Sequence, residues 1–149
     1  EVGINGKMNE IQAAVGLLNL KIYKKEQEKR KKIKEFYDKS LSSIKGIRIP
    51  KMPDNTTNSY QYYPVVIEDD YKISRDELHE IFKKHNIITR KYFYPACSDY
   101  ECYKNELSTK LADLSVVNDI KKRVLCLPYY SGLSEKTLDE IQGVIACGK

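Results

Sequence analysis

No apolar run in this chain approaches the roughly 20 residues that a membrane-spanning helix needs. The one nearest the start, Ala13–Leu18, is bounded by Gln12 and Asn19, so neither a signal peptide nor a membrane partner is expected. Glycine and proline are scarce, at seven and five of 149 residues, which excludes collagen-like and low-complexity classes. The four cysteines, Cys97, Cys102, Cys126 and Cys147, form no C-x-x-C pair and read as free thiols of a cytoplasmic protein. His79 and His85 are spaced for neither metal binding nor pairing with a cysteine and read as surface residues. Walker loop, dinucleotide fingerprint and Ser/His/Asp order are all missing, so no self-sufficient active site is expected.

What is present is the balance of a single globular domain, with 41% hydrophobic and 32% charged residues. Its charge is concentrated. Between Lys21 and Lys39 stand nine bases and four acids, a surplus equal to the net charge of +5 on the whole chain. Such a segment can attract nucleic acid or an anionic membrane surface. The interrupting acids and pairs such as Glu28–Lys32 make a solvated helix face the default reading, with no nucleic-acid partner.

Apolar spacing predicts a long helix, with Ile11, Val15, Leu18 and Ile22, then Ile33, Phe36, Tyr37, Leu41 and Ile44 in one phase. Asn9 and Gln12 form a capping box at its start, and Gly46 stops it. Between Ile22 and Ile33 the stripe lapses into Glu26, Lys29 and Arg30, a section expected to be wet, with the two apolar ends packing against different things. Ile47–Pro50 is extended, and Tyr60–Ile67 is a strand whose Pro64 calls for an edge position or a bulge. Ser74 and Glu77 box the start of a helix reaching about Asn86. Ile87–Tyr94 reads as a strand, Ala96–Lys110 as irregular, Ala112–Arg123 as helix and Val124–Leu127 as strand. Ser134 caps a last helix with Leu138, Ile141, Val144 and Ile145 on one face. The fold class is α/β (α+β): a long N-terminal helix and a small three-to-four-stranded sheet with helices on one side.

Two constellations carry chemistry. Gly3-Ile4-Asn5-Gly6-Lys7 precedes a helix N-terminus, where free N–H groups, the dipole, Asn5 and Lys7 favour a phosphate; an ordinary Gly/Asn turn is the alternative. In Thr89–Pro95, strand alternation places Arg90, Tyr92 and Tyr94 on one face, suited to an anionic or sugar-like ligand. The alternative is aromatic packing against Tyr60, Tyr62 and Tyr63.

The stretch from Gly3 to Leu17 closely resembles the G-x-N-x-R-M-x-E-I-Q-A-A-x-G-L segment of the DegT/DnrJ/EryC1/StrS family of pyridoxal-phosphate-dependent nucleotide-sugar aminotransferases. Ile87–Pro95 is similar to the family's G-I-x-(T/A)-R-x-Y-Y-x-P strand, Arg123–Pro128 to its R-V-L-S-L-P, and Gly132–Ser134 to its last helix start. The resemblance spans nearly the whole chain and implies a small C-terminal domain of a fold-type-I (aspartate-aminotransferase-like) enzyme. Within it, residues 1–45 would be the phosphate-side loop and connecting helix, and 46–149 the α/β sandwich. The large domain with the Schiff-base lysine would precede the chain, so no lysine here is catalytic and the fragment alone is not expected to act.

By the same resemblance the parent is a cytoplasmic homodimer with shared active sites, serving polysaccharide or O-antigen biosynthesis. It would pass an amino group from an amino acid, glutamate above all, to a nucleotide-linked keto-deoxy sugar such as a dTDP-4-keto-6-deoxyhexose. Asn5 matches the family asparagine that reaches the cofactor phosphate of the other subunit, and Lys7 stands where arginine is usual. Lys7, Arg90, Tyr92 and Tyr94 are the candidates for the substrate side. The family often continues P-L-H after this proline, whereas Pro95 is followed by Ala96 and Cys97, so that histidine contact is missing. A non-catalytic binding module of the same fold is the other reading. The opening at Glu1, without an initiator Met, favours a piece of a longer protein.

Overall fold

The fold is described from a computed structural model, which places residues 6–148. Helix α1 spans Glu10–Leu41 behind the expected capping box. Asn9 Oδ1 accepts the Gln12 N–H at 2.8 Å, and Gln12 Oε1 accepts the Asn9 N–H at 3.0 Å. The helix ends before Ile44. There the Ile44 N–H reaches only three residues back, to the Leu41 carbonyl at 3.1 Å, tightening the chain into a turn. Gly46 completes that turn at φ +80°, with its α-carbon so close to Tyr71 that a Cβ would lie 2.3 Å from the Tyr71 nitrogen.

Strands β1 (Ile47–Arg48), β2 (Tyr63–Ile67) and β3 (Val124–Leu127) form an antiparallel sheet in that order. Tyr63 lies opposite Leu127 and Ile47 opposite Ile67. Pro64 faces Cys126, whose own N–H and C=O are both bonded to Arg90 on the far side. That pair therefore needs no ladder bond from Pro64, and the imide nitrogen turns to the side where β1 has already ended. Helix α2 (Arg75–Lys84) follows the Ser74 capping box. Short helical segments at Cys97–Asp99, α3 (Glu101–Lys104) and α4 (Leu107–Leu111) occupy the region expected to be irregular. Helix α5 (Ser115–Arg123) leads into β3, and α6 (Glu135–Cys147) closes the chain.

One core joins Ile33, Tyr37 and Leu41 of α1 to Leu78 and Phe82 of α2, Ile141 and Ile145 of α6, and the inward residues of β2 and β3. The expectation of helices on one side of the sheet is corrected. Val65, Val66 and Ile67 are all buried, as are the four residues of β3. Alternation would leave every second side chain in water if one face were bare. Instead Val66, Val124 and Cys126, which lie outside the main core cluster, are buried as well, and α5 lies against β2. The expected strand Ile87–Tyr94 is also corrected: it is tied to β3 by a single bridge, Arg90 to Cys126.

Candidate functional site

The segment that leaves α2 keeps a strand's alternation for four residues and then loses it. Ile87 and Thr89 are buried and Ile88 and Arg90 exposed, but Lys91 and Tyr92 are both half-buried and Phe93 and Tyr94 both exposed. The cause lies on α2. His79 Nδ1 is 2.7 Å from Thr89 Oγ1, and Lys91 Nζ is 2.6 Å from Asp76 Oδ1. These contacts take the back of the segment out of the ladder beyond Arg90. His79 is thereby a partner of the site's support and not the surface residue that its helix position suggested. Burial, with the Lys91 ammonium, holds its imidazole below the ordinary value, so the ring is neutral at neutral pH. The hydrogen bond from Lys91 likewise lowers the Asp76 carboxyl.

Arg90 is held by two backbone bonds with Cys126, at 3.0 and 2.8 Å. Its Nη1 donates to the Tyr92 hydroxyl at 2.5 Å, and its guanidinium carbon stands 5.4 Å from the centre of that ring. Tyr62 meets Tyr92 edge-on at 5.2 Å, so aromatic packing is present, with Tyr62 as the partner. Tyr94 departs from the expected face. Its ring centre lies 5.2 Å from the Arg75 guanidinium carbon. Lys7 is exposed ahead of α1 and joins neither group. Asn5 lies outside the described residues.

Beside Arg90 opens a cleft of about 410 Å³ between α1, the start of β2 and the turn after β3, lined by Arg30, Tyr62, Tyr129 and Tyr130 among others. Arg30, assigned from sequence to the wet middle of α1, is drawn inward: its Nη1 donates to the Tyr60 carbonyl at 3.1 Å, and Tyr129 donates its hydroxyl proton to the Arg30 carbonyl at 2.9 Å. Desolvation raises the Tyr129 phenol well above its usual range, and Cys126 on the floor is pushed up to about 11 by burial. Both therefore stay protonated at neutral pH, and the thiol is a poor nucleophile.

Arg75 is the other residue that sequence reasoning missed. It is almost wholly buried, bonds the carbonyls of Lys121 at 3.2 Å and Val124 at 3.0 Å at the end of α5, and pairs with Asp76 at 2.8 Å. The clue was its place as the first residue after the Ser74 cap, where a long side chain can reach a neighbouring helix end.

The described residues do not fit as the covalent holder of an aldehyde cofactor, which needs a desolvated, unpaired lysine amine. The three lysines that are not exposed, Lys34, Lys91 and Lys121, each end on a carboxylate, of Asp38, Asp76 and Asp99. No cluster of three or more His, Cys, Asp or Glu able to hold a metal occurs among the described residues, and no described helix is long and apolar enough to cross a membrane.

The model of the DegT/DnrJ/EryC1/StrS aminotransferase family matches residues 1–146. The chain is 42% identical over 139 residues to the dTDP-4-amino-4,6-dideoxy-D-glucose transaminase of Escherichia coli, a match covering 93% of this chain and 38% of that protein. Among solved structures, a DegT DnrJ EryC1 StrS aminotransferase from Brucella abortus superposes with a TM-score of 0.82 at 28% identity, covering 99% of this chain and 37% of the other. DesI, solved in the presence of its TDP-sugar product, gives a TM-score of 0.82 at 26% identity over 98% of this chain and 38% of its own. The chain thus spans somewhat more than a third of the length of these relatives.

Proposed function

Because the chain belongs to the DegT/DnrJ/EryC1/StrS aminotransferase family, we propose that it is the C-terminal portion of a pyridoxal-phosphate-dependent transaminase of nucleotide-linked sugars. Its substrate in this reading is a dTDP-4-keto-6-deoxyhexose, its amino donor an amino acid such as glutamate, and its place the cytoplasm. The observation that carries the reading is the 42% identity, across 93% of the chain, to a transaminase of a dTDP-linked amino sugar. The Schiff-base lysine is assigned to a domain ahead of this chain, consistent with the ion-paired or exposed state of the lysines described above.

When bound, the cofactor supplies the electron sink for the exchange. The work left to this chain is binding and orientation. Asn5 is the candidate for the cofactor phosphate of a neighbouring subunit, and Lys7 adds a point charge near it. Arg90 and Tyr92 form the preassembled donor pair of the substrate side, with Tyr94 as an outlying candidate held by Arg75. The exposed apolar stripe Ile11, Val15, Leu18 and Ile22 is the surface that a homodimer and the cofactor-bearing domain would cover.

The test uses the protein expressed from its whole reading frame. It is expected to carry pyridoxal phosphate and to aminate dTDP-4-keto-6-deoxyglucose with glutamate. Asn5→Ala is expected to weaken cofactor retention at least tenfold in equilibrium dialysis. A full-length protein that neither binds the cofactor nor uses any nucleotide-linked keto sugar would overturn the reading.

A further inference from the structure

The chain contains five arginines, and their partners divide them sharply. Arg48 ends on Glu68, Arg75 on Asp76, and Arg123 on Glu68, Asp69 and Asp119 at 3.4, 2.9 and 2.7 Å. Arg30 and Arg90 have no carboxylate partner among the described residues, and these two line the same cleft, whose lining contains no acidic side chain. They arrive there from distant parts of the chain, one from the middle of α1 and one from the bridge beside β3.

Each is anchored by one contact and keeps the rest of its donors unspent. Arg30 uses Nη1 on the Tyr60 carbonyl, and its Nε is buried with no acceptor among the described residues. Arg90 uses Nη1 on Tyr92. A guanidinium carries five N–H donors in a rigid fork that matches phosphate oxygens two at a time. Glu26, one helical turn before Arg30, is engaged by Ser131 and Lys29, and the two guanidinium forks share a cleft walled by Tyr62, Tyr129 and Tyr130, where they repel each other. A ligand with two linked anionic groups removes that repulsion and meets both forks.

We propose that this cleft is a diphosphate site in which Arg30 and Arg90 each hold one phosphoryl group. The identity of the carrier as the diphosphate of a nucleotide-linked sugar rests on the transaminase reading above. The anion chemistry does not, since free pyrophosphate and a nucleoside diphosphate share it. Arg30 is the new element: it makes the middle of α1 part of the ligand's surroundings and gives a function to an arginine within a basic, otherwise solvated stretch.

The experiment is calorimetric titration of the protein from its whole reading frame with inorganic pyrophosphate and with dTDP. Arg30→Gln and Arg90→Gln are each expected to raise the Kd for both ligands tenfold or more. Arg30→Lys keeps the charge and loses the fork, and is expected to raise Kd a few-fold; it also guards against loss of folding through the Tyr60 contact. Arg48→Gln, which sits outside the cleft, is expected to leave both values unchanged. Tight binding that none of the cleft variants weakens overturns the site, as does failure of the parent protein to bind either ligand at millimolar concentration. Transaminase activity with an unchanged KM in Arg30→Lys and Arg30→Gln would sink the site while leaving the enzyme reading intact. Pyrophosphate binding that depends on both arginines, in a protein without transaminase activity, would support the site and remove the reading.

Discussion

Along α1, Ile11 and Leu18 are 76% and 60% exposed, whereas Tyr37 and Leu41, in the same helical phase, are fully buried. Both halves carry the same apolar spacing, and the first half even has the complete capping box. The second half lies against α6 and the sheet, with Tyr37 donating to the Pro128 carbonyl at 2.9 Å and its ring 4.7 Å from that of Tyr63. The first half, among the described residues, has nothing to lie against. An apolar stripe states which side of a helix will be buried, and the fold must supply the surface that buries it. Comparing the halves therefore separates what a helix contributes by itself from what packing contributes.

The largest break in that contrast comes from one substitution placed in each half. Leu41→Ala removes a fully buried side chain and is expected to cost about 2–5 kcal/mol in urea unfolding of this chain, with the cavity adding to lost transfer energy. Leu18→Ala is expected to stay within about 0.5 kcal/mol, because water already covers the site. Equal losses at the two positions would mean that the first half is packed in solution. At the junction after the packed half, Gly46→Ala is expected to cost about 1–3 kcal/mol by the same measurement. The new Cβ would meet the Tyr71 backbone, and φ of +80° disfavours any L side chain.

The capping boxes sharpen the contrast further. Ser74 and Glu77 start a helix whose Leu78 and Phe82 are buried, so Ser74→Ala is expected to cost about 1 kcal/mol of global stability. Asn9→Ala removes the same geometry from a stretch that can fray without opening the core. Its expected effect on global unfolding is near zero, with faster amide exchange confined to the first turns of α1.

The smallest effect is one of pH within the packed region. The folded imidazole of His79 sits below the ordinary value of 6.5 through burial and through Lys91 and Arg75, opposed by Glu80 and Asp76. A depressed folded pKa means that the unfolded chain binds the proton more readily. The stabilisation is thus complete above about pH 6.5 and is lost as pH falls through the lower, folded value. The melting temperature is expected to drop between about pH 7.5 and pH 5.5, and His79→Gln to flatten that drop; an unaltered slope would show that His79 plays no part in it.

Much of this architecture was legible in local sequence. The boxes at Asn9 and Ser74, the cap at Ser134 and the strand Val124–Leu127 all stand where residue chemistry placed them, because each depends on neighbours within a few positions. Failures occurred where distant side chains intervene. The strand over Ile87–Tyr94 was cut short by His79 and Asp76, which bond Thr89 and Lys91 from α2. Tyr94 left the face of Arg90 and Tyr92 for Arg75, whose own partners are the distant carbonyls of Lys121 and Val124. Arg30 sits among solvated bases in sequence and is turned inward by Tyr60 and Tyr129.

By itself the sequence determined the long first helix, the capped helices after Ser74 and Ser134, the strand Val124–Leu127 and the family to which the chain belongs, since caps, periods and motifs are properties of short stretches. Tertiary structure alone decided which half of α1 is buried, that both faces of the sheet are covered, and that Arg30 and Arg90 share one cleft without a carboxylate. Those outcomes depend on which surfaces meet, and contact between residues far apart in the chain leaves no local pattern for the sequence to display.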